Sequence, residues 1–143
     1  MLRQFLTGGG VTLANITIHA LIMTTVIRVA QAAGARRIRH PSLFLIAVMI
    51  PTVSVLMITH AIEVLVWASV YWIVDAAPPE ANLVYFAFVN YATLGYGDIV
   101  PVKRWLLLGP ITAMNGALLF GWSTAIMFEV LRRALARIGI SGG

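Results

Sequence analysis

Residues 4–27, 40–62 and 105–128 contain no lysine, arginine, aspartate or glutamate. Each run exceeds the roughly 20 residues that carry a helix across a bilayer core. Inside a bilayer, a helix is the form in which one segment satisfies all its own backbone polar groups. Composition agrees: 60% of the 143 residues are hydrophobic and 10% charged, against about 25% charged in a soluble domain. One small core cannot hide that much apolar surface. The expected class is an all-α integral membrane protein. The net charge of +5 then bears on orientation across the membrane, and nucleic acid is not an expected partner. Without cysteine there is no disulfide or thiol chemistry. No small-residue cleavage site follows the first apolar residues, so no removable leader is expected.

The chain divides at its turns. The first apolar stretch, Val11–Ala33, follows three glycines (Gly8–Gly10) that read as a break or flexible entrance. Asn15, His19 and several threonines interrupt it, as suits helix–helix contact in a bundle; it either spans the membrane or lies in its interface. A basic turn with Arg36, Arg37 and Arg39 comes next. The second stretch, Ser42 to Val74, is too long to cross upright, so tilt, a kink at Pro51 or projection beyond the headgroups is expected. Trp67, Tyr71 and Trp72 near its end read as an interfacial aromatic belt. A turn with two prolines, Asp75 and Glu80 leads to Leu83–Ala92, which is too short to span. The last stretch, Trp105–Leu131, spans and ends among Arg132, Arg133 and Arg137. There is no internal repeat.

Three crossings place Arg28, Arg36, Arg37, Arg39, Arg132, Arg133 and Arg137 on one side. The positive-inside rule makes that side cytoplasmic. The N-terminus is then outside, the C-terminus cytoplasmic, and a multi-pass protein of the plasma (inner) membrane is expected. Lys103 and Arg104 fall on the minority side. The six residues after Arg137 leave no expectation of a cytoplasmic ligand-binding domain.

Residues 82–98 must therefore enter from outside, stop, and return. Non-helical backbone at membrane depth is tolerated where it lines a cavity or is buried in protein. A half-spanning helix leading into extended TLGYG is such a case. Glycine reaches backbone angles denied to other residues. Alternating it with other residues lets successive carbonyls face one way and replace the water shell of a cation. The short helix turns its negative end toward the same place. One strand builds one wall; since the stretch occurs once, a homotetramer is needed to close the ring.

TLGYGD, residues 93–98, resembles the selectivity filter of potassium channels, whose pores are lined by four TVGYG loops. The order of elements resembles that family as well, over residues 42–133: outer helix, pore helix, filter, inner helix. The resemblance implies three transmembrane helices, a re-entrant pore helix and an extended filter assembled with four-fold symmetry. It divides the chain into an N-terminal helix and basic turn (1–41), a pore domain (42–137) and a short tail (138–143). Within the pore domain the outer helix would be 42–74, the pore helix 82–92, the filter 93–98 and the inner helix 105–133.

The resemblance further implies passive, selective K+ conduction. K+ would be held by the carbonyls of Thr93, Leu94, Gly95 and Tyr96 and by the Thr93 hydroxyl. Gly97 would turn the chain outward. Asp98 would brace the outer mouth, with Tyr85 as its hydrogen-bond partner. Gly116 and Gly121 resemble gating-hinge glycines, and equally suit close packing of small residues. Leu94 stands where valine is commoner, and Ala92 where a second threonine is frequent. No cofactor beyond K+ is expected and no catalytic step is implied. GYGD also resembles the signature of intramembrane aspartyl proteases, but those need a second carboxylate, and the other aspartate, Asp75, lies in the Pro-rich turn. A non-conducting membrane scaffold is the remaining alternative.

His60 and Glu63 share a helix face. Ionisable groups at membrane depth are costly and are functional candidates by default. The expected reading is a pH-sensitive brace near the outer end of the second helix, with Arg104 as Glu63's partner; packing against Asn15 and Thr12 is the structural alternative. His19 reads as a packing residue, and three histidines without cysteine as no metal site. Arg36, Arg37 and Arg39 suit anionic lipid headgroups. The opening stimulus is not legible.

Overall fold

The computed structural model describes residues 1–33 and 40–139. Its elements are α1 (Leu2–Ala33), α2 (Pro41–Ile73), α3 (Leu83–Tyr91), a 3-10 turn (Lys103–Trp105) and α4 (Leu108–Arg137). Among the described residues there is no strand. Three segments are long and apolar enough to cross a bilayer: Leu2–Arg28, Pro41–Ile73 and Lys103–Arg137. The basic turn at Arg36, Arg37 and Arg39 lies outside the described residues.

Local chemistry sets the boundaries. Proline opens α2 at its first turn, where its missing N–H costs nothing and its φ suits a helix. The helix continues through Pro51. It ends in a Schellman motif, with Asp75 in the left-handed region at φ 49° and Ala76 N donating to Tyr71 O at 2.9 Å. Asn82 caps α3, its side chain accepting from Tyr85 N at 3.0 Å. The returning chain is tied to the end of α2 by Val102 N to Ala76 O, 2.8 Å.

The first helix differs from expectation. It begins at Leu2 and runs unbroken through Gly8–Gly10. Interior glycines cost a helix about 1 kcal/mol each against alanine, and at Gly8 close packing offsets the cost. A Cβ on Gly8 would stand 2.9 Å from Ile111 Cδ1 and Cγ2, so its absence lets α1 approach α4. Nearby, Gln4 Oε1 accepts from Leu107 N at 2.8 Å, and the Arg3 guanidinium lies 5.0 Å from the Trp105 ring centre. The start of α1 thus sits at the start of α4. The two helices run parallel, with α2 antiparallel between the same ends.

The aromatic-belt expectation fails for two of its three residues. Trp67 and Tyr71 are fully buried, and only Trp72 is exposed. Trp67 Nε1 donates to Asn115 Oδ1 at 2.9 Å, and the Tyr71 and Thr112 hydroxyls meet at 2.6 Å. They face the bundle because α4 offers polar partners there. With Phe86, Tyr91, Trp105, Leu108 and Leu119 they form the core. Lipid is as apolar as these side chains, so van der Waals fit holds the bundle, and interhelical hydrogen bonds average about 0.6 kcal/mol.

Candidate functional site

The segment after α3 is built from alternating backbone. Thr93, Gly95 and Gly97 have φ of +59°, +59° and +78°, while Leu94 and Tyr96 between them do not enter the left-handed region. Two of the three positions are glycine, which adopts such angles freely; threonine does so only at a cost. Alternation of this kind rotates successive peptide planes so that carbonyls can share one face. The approach is held by α3, with Thr93 N donating to Asn90 O (3.0 Å) and Leu94 N to Val89 O (2.9 Å). Beyond these anchors the segment stands open. Residues 93–98 are all exposed, Leu94 by 50% and Tyr96 by 66%. Where it turns away, Tyr85 Oη donates to Asp98 Oδ2 at 2.7 Å. The carboxylate that accepts this bond pushes the Tyr85 phenol above its ordinary range. Asp75 pairs elsewhere, with Arg104.

Behind the segment lies a closed polar cluster, drawn from all four helices. His19 Nδ1 on α1 is 2.8 Å from Glu63 Oε1. His60 Nδ1 on α2 is 3.0 Å from Glu63 Oε2 and 2.9 Å from Tyr91 Oη. Tyr91, the last residue of α3, donates to Glu63 Oε2. On α4, Ser123 Oγ lies 2.9 Å from His60 Nε2 and 3.3 Å from His19 Nε2. His19 and Glu63 are fully buried, Tyr91 and His60 nearly so. A second network adjoins it: Asn15 Nδ2 donates to the Glu63 carbonyl (3.3 Å) and to Asn115 Oδ1 (3.0 Å).

The expected His60–Glu63 contact is present, but its surroundings differ from expectation. Arg104 is not Glu63's partner. It lies over Asp75 at 3.6 Å, both largely exposed, because the 3-10 turn is strapped to the end of α2. The carboxylate stands against Tyr91, at the inner end of α3, rather than near the outer end of α2. His19, read as packing alone, is a direct partner, and the three side chains His19, His60 and Glu63 bring possible ligand atoms within 4.8 Å of one another. Tyr91 and Ser123 had no motif to mark them. The available signal was the spacing of Gln4, Gly8, Asn15, His19 and Met23, which puts the buried residues of α1 on one face.

The two inner-helix glycines separate. A Cβ on Gly116 would fall 2.0 Å from the Tyr91 carbonyl oxygen, so Gly116 is a packing glycine locked against the end of α3, not a free joint. Gly121 is exposed with nothing within 4 Å of its would-be Cβ. The helix is continuous through both.

A family model described as "Ion channel" matches residues 59–133, slightly more than half of the chain. Comparison with curated proteins and with solved structures gave no match.

Proposed function

We propose that this chain, which belongs to the ion channel family, is one subunit of a four-fold pore that conducts K+ passively and selectively. The observation that carries the proposal is the left-handed alternation at Thr93, Gly95 and Gly97, directly after a helix too short to span. In this reading the carbonyls of Thr93, Leu94, Gly95 and Tyr96, with the Thr93 hydroxyl, replace the hydration shell of K+. Gly97 turns the chain outward, and the Tyr85–Asp98 bond supports the outer mouth. Gly121 keeps the hinge role proposed for the inner helix.

Four-fold assembly is supported by what one chain leaves open. A segment with Leu94 and Tyr96 half or more exposed has neither water nor lipid as a suitable neighbour at membrane depth, and three further copies would enclose it. The charge distribution supports a cytoplasmic C-terminus and an external N-terminus in the plasma membrane. Anionic lipid headgroups are proposed partners of Arg36, Arg37 and Arg39.

The deciding experiment is ion flux from liposomes under K+ and Na+ gradients. K+ flux well above Na+ flux is expected. Equal permeation overturns selectivity, and absence of flux from correctly assembled protein favours the scaffold alternative.

A further inference from the structure

We propose that His19, His60, Glu63 and Tyr91 form a binding site for a divalent transition-metal ion of the zinc class, which clamps α1 to the base of the pore segment. The first argument is a count of protons. Two imidazoles face the Glu63 carboxylate through Nδ1, and both turn Nε2 toward the single Ser123 hydroxyl. A neutral imidazole carries one ring proton. If both protons sit on Nδ1, two Nε2 lone pairs face a hydroxyl that has one proton to give. If both sit on Nε2, two Nδ1 lone pairs face the carboxylate. If the rings differ, one Nδ1 lone pair still faces Glu63, since Tyr91 already donates its proton there. With both rings neutral and Glu63 ionised, one contact stays unmet and a buried carboxylate is left uncompensated. The described residues packed around it supply no lysine or arginine. The cluster lacks one positive charge, which a proton or a metal ion can supply.

An ion at the Nδ1–carboxylate junction removes the conflict. Both Nε2–H groups then donate to the two lone pairs of Ser123 Oγ. This is the arrangement by which outer partners fix the ring orientation of metal-bound histidines. Two imidazoles and a carboxylate suit zinc, with Tyr91 Oη as the fourth ligand. Ligand atoms of a tetrahedral site at bond lengths of about 2.0–2.2 Å stand roughly 3.3 Å apart. The His19–Glu63, His60–Glu63 and His60–Tyr91 separations of 2.8–3.0 Å would open by a few tenths of an ångström, and the shorter Tyr91–Glu63 contact would open further. An additional proton serves one donor–acceptor pair, whereas His19, His60 and Glu63 bring ligand atoms within 4.8 Å of one another, with Tyr91 Oη 2.9 Å from His60 Nδ1. His60, with 11% of its side chain exposed, is the edge by which an ion enters.

The site crosses a boundary in the chain. His19 lies outside the matched residues 59–133, while His60, Glu63 and Tyr91 lie inside. Tyr91 stands two residues before Thr93. An ion bound here joins the extra helix to the residue that ends α3, and so to the start of the open segment.

The test uses the full chain in detergent, stripped with a chelator and shown to be assembled by size-exclusion chromatography. It is titrated with Zn2+ by calorimetry and with Co2+ by visible absorption. One ion per chain is expected at micromolar Kd or tighter, with the intense bands of four-coordinate Co2+. His19→Gln and Glu63→Gln should each weaken binding by about 100-fold or more, and Ser123→Ala by about 10-fold, as for outer-partner changes. His40→Gln, outside the cluster, should leave it unchanged. Substoichiometric binding by assembled wild-type protein, or equal binding by His19→Gln, overturns the proposal and leaves the network closed by a proton. Binding is read without flux, so its failure leaves the pore reading standing.

Discussion

The open segment at 93–98 and the cluster behind it lie close together in the chain, joined through Tyr91, yet they are built on opposite principles. The cluster draws all its protein partners from one chain: its polar atoms face partners from four helices, and His19 and Glu63 have no exposed surface. The segment is incomplete: its side chains are exposed and three of its residues hold left-handed angles. The cluster makes its side chains specific through contact, and the segment makes its backbone specific through conformation. Substitutions should therefore act by steric and polar loss in one region and by φ alone in the other.

The largest effect is expected from Gly95→Ala. Nothing within the chain lies within 4 Å of the new Cβ, so the cost is conformational, about 1–2 kcal/mol per residue in the left-handed region. Repeated in each subunit of the proposed four-fold pore, it should abolish K+ flux in liposomes while leaving assembly on size-exclusion chromatography intact. Retained flux would show that the segment does not need its glycine angle.

Gly116→Ala should act through packing instead. A methyl 2.0 Å from the Tyr91 carbonyl oxygen cannot be accommodated without moving α4 from α3, and overpacking costs about 1–3 kcal/mol. A clear drop in thermal midpoint is expected, while Gly121→Ala, with open space around it, should keep the wild-type midpoint. Equal midpoints for the pair would remove the packing role of Gly116.

Tyr91→Phe takes one donor from a buried carboxylate, a loss of about 1–3 kcal/mol, and should lower the midpoint while leaving K+ over Na+ selectivity unchanged. A change in selectivity would mean that the two regions are not separable. The smallest effect is expected at Arg104→Ala. Its ion pair with Asp75 is 64% and 83% exposed, and such pairs contribute about 0–1 kcal/mol. Stability and flux should match wild type; a marked loss would return Arg104 to the role first expected of it beside Glu63.

The same division governs what was legible in advance. TLGYGD is a statement about backbone, and glycine positions declare backbone freedom directly; hence the special angles at Gly95 and Gly97 were expected from the letters, and that at Thr93 was not. The short helix α3 was also expected, because its length excludes spanning. The Tyr85–Asp98 bond followed from the resemblance. The partners of Glu63 did not follow. His60 was found because it is three residues away on the same helix, and His19 was missed because it is 44 residues away on another.

By itself the sequence determined the three long apolar stretches, the extent of the second and third, the short helix between them and the glycine-bearing turn, since these depend on hydropathy over a window and on local backbone preference. Only the tertiary structure decided which face of each helix turns inward. Lipid and protein interior are equally apolar, so hydropathy does not distinguish buried Trp67 from exposed Trp72. The same ambiguity hid the course of α1 through Gly8–Gly10, of which Gly8 gains meaning only against Ile111. It also hid the meeting of His19, Glu63 and Tyr91, because convergence in space of residues remote in sequence is set by helix packing and by nothing local to any of them.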